Sequence, residues 1–171
     1  MSLLKAKRIA ELKDELESVS TKLATKRDAY RKTVNTSVLE IFSDHMKQHD
    51  FDISTTVYGA RAVYKDLKVE LKLAGPEDRF IAVFHSFDLI VNGKDHFVRV
   101  VPKYTGTAPE APYVSSETDA ILERQIQAAQ HNLENEQLES FTYDCSLRPG
   151  AGQSKPAVKS TMAEVLDHVL A

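Results

Sequence analysis

At 171 residues, with 42% apolar and 27% charged side chains, the chain can bury one sizeable core and is too apolar for wholesale disorder. Its net charge of −3 excludes an overall basic field of the kind that advertises nucleic acid. A single cysteine, Cys145, excludes an intramolecular disulfide and any cysteine-built zinc site.

The charge is uneven. Residues 1–34 hold nine Lys/Arg against five Asp/Glu, whereas residues 110–140 hold seven acids opposed only by Arg124. From about Leu3 to about His49 the sequence reads as helix, since no Gly or Pro occurs before Gly59. Ile9, Leu12, Leu16, Val19 and Leu23 fall at spacings of three and four and form a short coiled-coil-like seam. Lys26 interrupts it, and the apolar series resumes as Tyr30, Val34, Val38, Ile41, Phe42 and Met46. Poor helix formers in "TVNTSVLE" predict a bend or hinge near Asn35. The expected division is therefore a projecting or docking helix over 1–34 and a single α+β domain over 35–171.

From Phe51 to Tyr104 the period becomes alternating. "STTVYGARAVY" reads as one strand and "LKVELKLA" as a second, with Leu67, Val69, Leu71 and Leu73 on one face and Lys68, Glu70 and Lys72 on the other. "GPED" marks a turn, and Asn92-Gly93 joins "RFIAVFHSFDLIV" to "HFVRVVPKY" as a hairpin. This is a four-stranded antiparallel meander. After a connector with two prolines, Ser115, Ser116 or Thr118 can cap a helix carrying Leu122, Ile126, Ala129 and Leu133, ending near Ser140. "SFTYDCSL" is then a fifth strand, "RPGAGQSKP" a loop and "AVKSTMAEVLDHVL" a short C-terminal helix. The predicted class is α+β: a long N-terminal helix, a four-stranded antiparallel meander, a helix, a fifth strand and a short final helix.

Several groups invite a chemical reading. His45 and His49 stand four apart, so a helix puts both imidazoles on one side, as a shared metal requires. The flanking Asp44 and Asp50 are offset by one residue, and the same histidines with Lys47 suit the negative end of a helix dipole. Glu70-Leu71-Lys72 on a strand, with Asp66 or Asp52 upstream and Glu40 on the helix, resembles the active-site pattern of the PD-(D/E)xK nucleases. That resemblance implies a Mg²⁺ held by Glu70 with Asp66 or Asp52 and Glu40, and Lys72 polarising water or phosphate. Two departures stand against it: there is no Pro-Asp pair, and a further hairpin follows where a helix is usual. His85, Ser86 and Asp88 suggest a triad, but strand alternation separates His85 from Ser86, and no nucleophile elbow surrounds the serine. Lys22, Lys26, Arg27, Arg31 and Lys32 form a basic run that can meet phosphates, with Tyr30 among them.

The sequence thus favours binding over catalysis. The expectation is a non-enzymatic interaction or assembly protein, such as a viral structural component, chaperone or adaptor. It oligomerises or docks a protein partner through Ile9, Leu12, Leu16, Val19 and Leu23. The internal alternative for that seam is Leu122, Ile126, Ala129 and Leu133, whose acidic flanks suit a basic helix. Nucleic-acid binding by the basic run and Mg²⁺-dependent cleavage at Glu70, Lys72 and Asp66 are the alternatives. No cofactor is indicated. "KAKR" follows "MSLL" without an apolar core, so neither a leader nor a membrane span is expected, and the location is cytoplasmic, of a cell or an infected host.

Overall fold

The computed structural model describes residues 2–75, 83–110, 117–148 and 155–171. Expectations resting on Ser115, Ser116, most of "GPED" and most of "RPGAGQSKP" lie outside these residues. The described elements are α1 (Leu3–Gln48), β1 (Asp52–Thr56), β2 (Gly59–Tyr64), β3 (Leu67–Leu73), β4 (His85–Val91), β5 (Lys94–Thr105), α2 (Thr118–Asn135), β6 (Gln137–Arg148), β7 (Ala157–Lys159) and α3 (Met162–Leu170). The class is α+β with a long N-terminal helix and an antiparallel sheet. Among the described residues the sheet has seven strands in sequence order, β1 through β7, where the sequence predicts five.

Both additional strands have local causes. "STTVYGARAVY" folds back at Val57-Tyr58, pairing Thr56 with Gly59 and Asp52 with Val63. The turn contains no Gly, Pro or Asn, so its only sequence signal is Gly59. There a Cβ would stand 1.9 Å from the Leu71 carbonyl oxygen, so no side chain fits beside β3. "AVK", expected to open the last helix, instead pairs with β6 at Tyr143–Cys145. The helix starts later because Thr161 caps it, accepting from the Glu164 N–H at 3.2 Å, while the Glu164 carboxylate accepts from the Ser160 N–H at 2.9 Å. The Asn92-Gly93 hairpin forms as expected: both residues have positive φ, 47° and 84°, and Val91 pairs with Lys94.

The chain divides into two compact units, residues 1–30 with 104–139 and residues 31–103 with 140–171. α1 is uninterrupted across Asn35, so neither bend nor second helix appears in its hydrogen bonding. In the first unit, α1 up to Tyr30 is paired with α2. In the second, the core is built from three surfaces. The rest of α1 contributes Val34, Val38, Phe42 and Met46, all 0% exposed. α3 contributes Met162, Val165, Leu166 and Val169, and one sheet face contributes Ala62, Val69, Leu71, Phe87, Leu89, Val98, Val100 and Tyr143, all buried. Facing residues in the ladders share a side of the sheet, so the opposite face is fixed by the same register: Arg61 meets Glu70, and Lys72 meets Asp88.

Candidate functional site

The seam predicted for a partner is placed against α2. Ile9, Leu12 and Leu16 pack with Leu122 and Ile126, and Val19 and Leu23 are buried further along. The charge imbalance has a local destination as well. Lys5 pairs with Glu117 at 3.4 Å and lies 4.0 Å from Asp119, and Arg8 pairs with Glu123 at 3.0 Å. α2 begins without the predicted side-chain cap, because its N-cap is Glu117, and it stops at Asn135, short of Ser140.

Most of the basic run is engaged by the chain itself. The Lys26 ammonium donates to the terminal carbonyls of α2, at Asn132 (3.2 Å) and Leu133 (2.9 Å), where the helix dipole favours a cation. Arg27 donates to both carboxylate oxygens of Glu136, at 2.9 and 2.7 Å, and lies over the Tyr104 ring. Glu136 is fully buried, and Tyr30 donates its hydroxyl proton to the Glu136 carbonyl at 3.0 Å. The hydrogen bond to Glu136 is the main cause raising the pKa of Arg27. Arg31 donates to the Phe84 carbonyl and covers its ring. Lys22 and Lys32 are exposed. Glu136 is the functional partner that sequence reasoning missed: an acid among six others carries no pattern that marks it for burial.

Glu70 and Lys72 lie on the open face of the sheet, in an array of alternating charge. Arg61 reaches Glu70 at 2.6 Å, Lys72 reaches it at 3.7 Å, and Arg148 stands 3.7 Å from Asp88. Arg148 also covers the Phe97 ring at 4.4 Å, and Arg99 pairs with Asp144. Arg61, Glu70, Lys72, Asp88 and Arg148, together with Tyr58 and Phe97, line a groove of about 940 Å³. One Asp88 oxygen is buried there without a hydrogen-bond partner. Burial raises the Asp88 pKa, Asp95 adds to it, and Arg148 and Lys72 pull it back.

This geometry gives Glu70 two cations as neighbours rather than a second carboxylate. Asp66 lies in the turn before β3, four residues and roughly 13 Å along an extended chain from Glu70. Among the described residues, no three His, Cys, Asp or Glu side chains converge as a metal's ligand set. Glu70 is thus paired across the ladder with Arg61 and along its own strand with Lys72, on the wet face of the sheet.

His45 and His49 do lie together, with ring centroids 4.9 Å apart, and His45 Nε2 stands 3.6 Å from an Asp167 oxygen on α3. The acid beside the pair is thus neither Asp44 nor Asp50, and it comes from the far end of the sequence. They border a second cavity of about 610 Å³, walled by Phe51, Tyr64, Leu67 and Val91. His85 and Ser86 are buried at 4% and 5% exposure, and Asp88 faces the opposite side from His85, so the three form no relay. Cys145 is buried too, which pushes its thiol up to about 11 and keeps it protonated and unreactive at neutral pH. No described helix is long and apolar enough to cross a membrane. The sequence matches no known family, and no curated protein or solved structure matches it either.

Proposed function

We propose that this is a non-enzymatic interaction protein that docks a protein partner, and that the open charged face of its sheet is the docking surface. One observation carries this reading: a groove of about 940 Å³ lined by Arg61, Glu70, Lys72, Asp88 and Arg148. Such a groove is wide enough for side chains of another molecule, and its charges are spaced by the strand separation of about 4.8 Å. Each cation has an acid beside it, which suits a polypeptide bearing both signs better than a uniformly anionic phosphate backbone. Arg148 stands 3.7 Å from a buried Asp88 oxygen and is itself partly exposed, so both signs of charge line the groove wall.

α1 supports the reading by holding the first unit, while its seam is occupied along Ile9, Leu12 and Leu16 by α2. The test is binding of three labelled 15-residue peptides, alternating Lys-Glu, all-Glu and all-Lys, beside an oligo-dT strand, at low and high salt. The alternating peptide is expected to bind tightest, to shift the amide resonances of Glu70, Lys72 and Phe97, and to lose at least tenfold in affinity on Lys72→Glu with Arg148→Glu. Preference for oligo-dT would move the protein to the nucleic-acid class, and no binding by any peptide would remove the proposal.

A further inference from the structure

Among the described residues, β1 forms one end of the seven-stranded sheet and hydrogen-bonds along one side only, to β2. The two-residue turn Val57-Tyr58 is closed by the hydrogen-bonded pair Thr56–Gly59. Bonding alternates from there, so Asp52, Ser54 and Thr56 direct their N–H and C=O groups inward, and Ile53 and Thr55 direct theirs to the open edge. Natural sheets blunt such edges with Lys, Pro, bulges or brevity. The opposite end does so: β7 has three residues, ends in Lys159 and follows Pro156. β1 has none of these devices. It reads Asp-Ile-Ser-Thr-Thr, pairs with β2 without a bulge, and is exposed at every residue but Ile53. Its turn then displays Val57 at 87% and Tyr58 at 65% exposure.

We propose that β1 pairs antiparallel with β1 of a second copy, joining two sheets across a twofold axis at Ser54. The strand is self-complementary in that register. Ile53 falls opposite Thr55 of the other copy, and both have their peptide groups turned outward, so two such pairs exchange two hydrogen bonds each. Asp52, the only charge in β1, falls opposite Thr56, so no like charges meet. One step further, Val57 of one copy comes beside Phe51 of the other, whose ring packs tilted against Tyr64 at 5.7 Å and borders the 610 Å³ cavity. The exposed apolar turn thereby gains an aromatic neighbour. A twofold contact uses the same edge in both copies and closes on itself, so the assembly stops at a dimer. This inference goes beyond the proposed function, although Thr56 and Val57, which meet the second copy, also line the charged groove.

Mass in solution and a cysteine placed on the axis test it. In this register the Ser54 pair is non-hydrogen-bonded, with Cα atoms about 4.5 Å apart, within the disulfide range of about 4.4–6.8 Å. Ser54→Cys is expected to oxidise to a covalent dimer, whereas Thr56→Cys, which faces Asp52, is expected not to. Cys145 is buried and common to both variants. Light scattering should give twice the chain mass for the wild type and half of that for Thr55→Pro, which removes an outward N–H. The Lys72→Glu substitution should leave the mass unchanged. A wild type that is monomeric at every concentration overturns the proposal. So does a dimer that survives Thr55→Pro, or one in which both cysteine variants cross-link equally.

Discussion

Within the first unit, α1 is held to α2 by a small set of aliphatic side chains, among them Leu12, Leu122 and Ile126, and by polar anchors: Lys5, Arg8, Lys26 and the half-buried Arg27 on the buried Glu136. Within the second unit, the same helix presents four side chains with no exposure at all to a core shared with α3 and one sheet face. The backbone does not mark the change. Apolar burial, at about 25 cal/mol per Å², dominates the second arrangement, with Arg31 on the Phe84 carbonyl and His45 beside Asp167 as polar additions. A two-helix unit has too little apolar area for that, so charge and helix-end carbonyls specify its register, and its stability depends on every anchor being satisfied.

The largest effect expected from this contrast lies in the second unit. Phe42→Ala removes a fully buried ring and should cost about 4 kcal/mol, measured by urea unfolding followed by far-UV circular dichroism. Next is Arg27→Ala, which leaves the Glu136 carboxylate, with 0% side-chain exposure, without its cation; the cost is about 3 kcal/mol. Here the contrast can be made sharper. Arg27→Met together with Glu136→Leu replaces the pair by apolar volume and should recover most of that loss. If the double substitution is as unstable as Arg27→Ala, the pair supplies more than charge compensation. Leu12→Ala should cost slightly less, about 2–3 kcal/mol, because a two-helix contact can close part of the cavity. It should loosen amide exchange in α2 while β3 and β4 stay protected. Equal loss of protection in both would show that the two units unfold as one.

The same contrast explains what the sequence could reveal. Periodicity is a property of burial, so the stripe Val34, Val38, Phe42, Met46 and the alternation in β3 were legible, although Leu67, at the strand's end, is 46% exposed. Turn chemistry was legible where it took its strong form, at Asn92-Gly93, and hidden at Val57-Tyr58, where only the close approach of Gly59 to Leu71 betrays it. Pairwise charge was the least legible. Nothing local tells Glu136 from Glu134, because its burial is decided by Arg27 and Tyr30, more than a hundred residues earlier. The candidate site shares that fate: Glu70 and Lys72 looked like chemistry on one strand, but their neighbours Arg61, Asp88 and Arg148 come from three others.

The smallest expected effect probes whether burial or attraction governs a charge inside the groove. Burial is the leading cause of the raised pKa of Asp88, and the opposing pull of Arg148 and Lys72 is already included in that net direction. An acid whose folded pKa exceeds its unfolded value stabilises the fold fully below the unfolded pKa and loses that contribution as pH rises through the folded one. Asp88→Asn removes the ionisation, so relative to wild type it should gain in stability between acid and neutral pH, where the wild-type carboxylate must charge. Urea midpoints of both proteins at a series of pH values report this group together with its coupled neighbour Asp95, since titrations remote from the groove cancel in the difference. A difference that runs the other way would mean that Arg148 and Lys72 hold Asp88 ionised by attraction. The groove would then be an ion-paired surface as closed to a partner's charges as the Arg27–Glu136 anchor of the first unit.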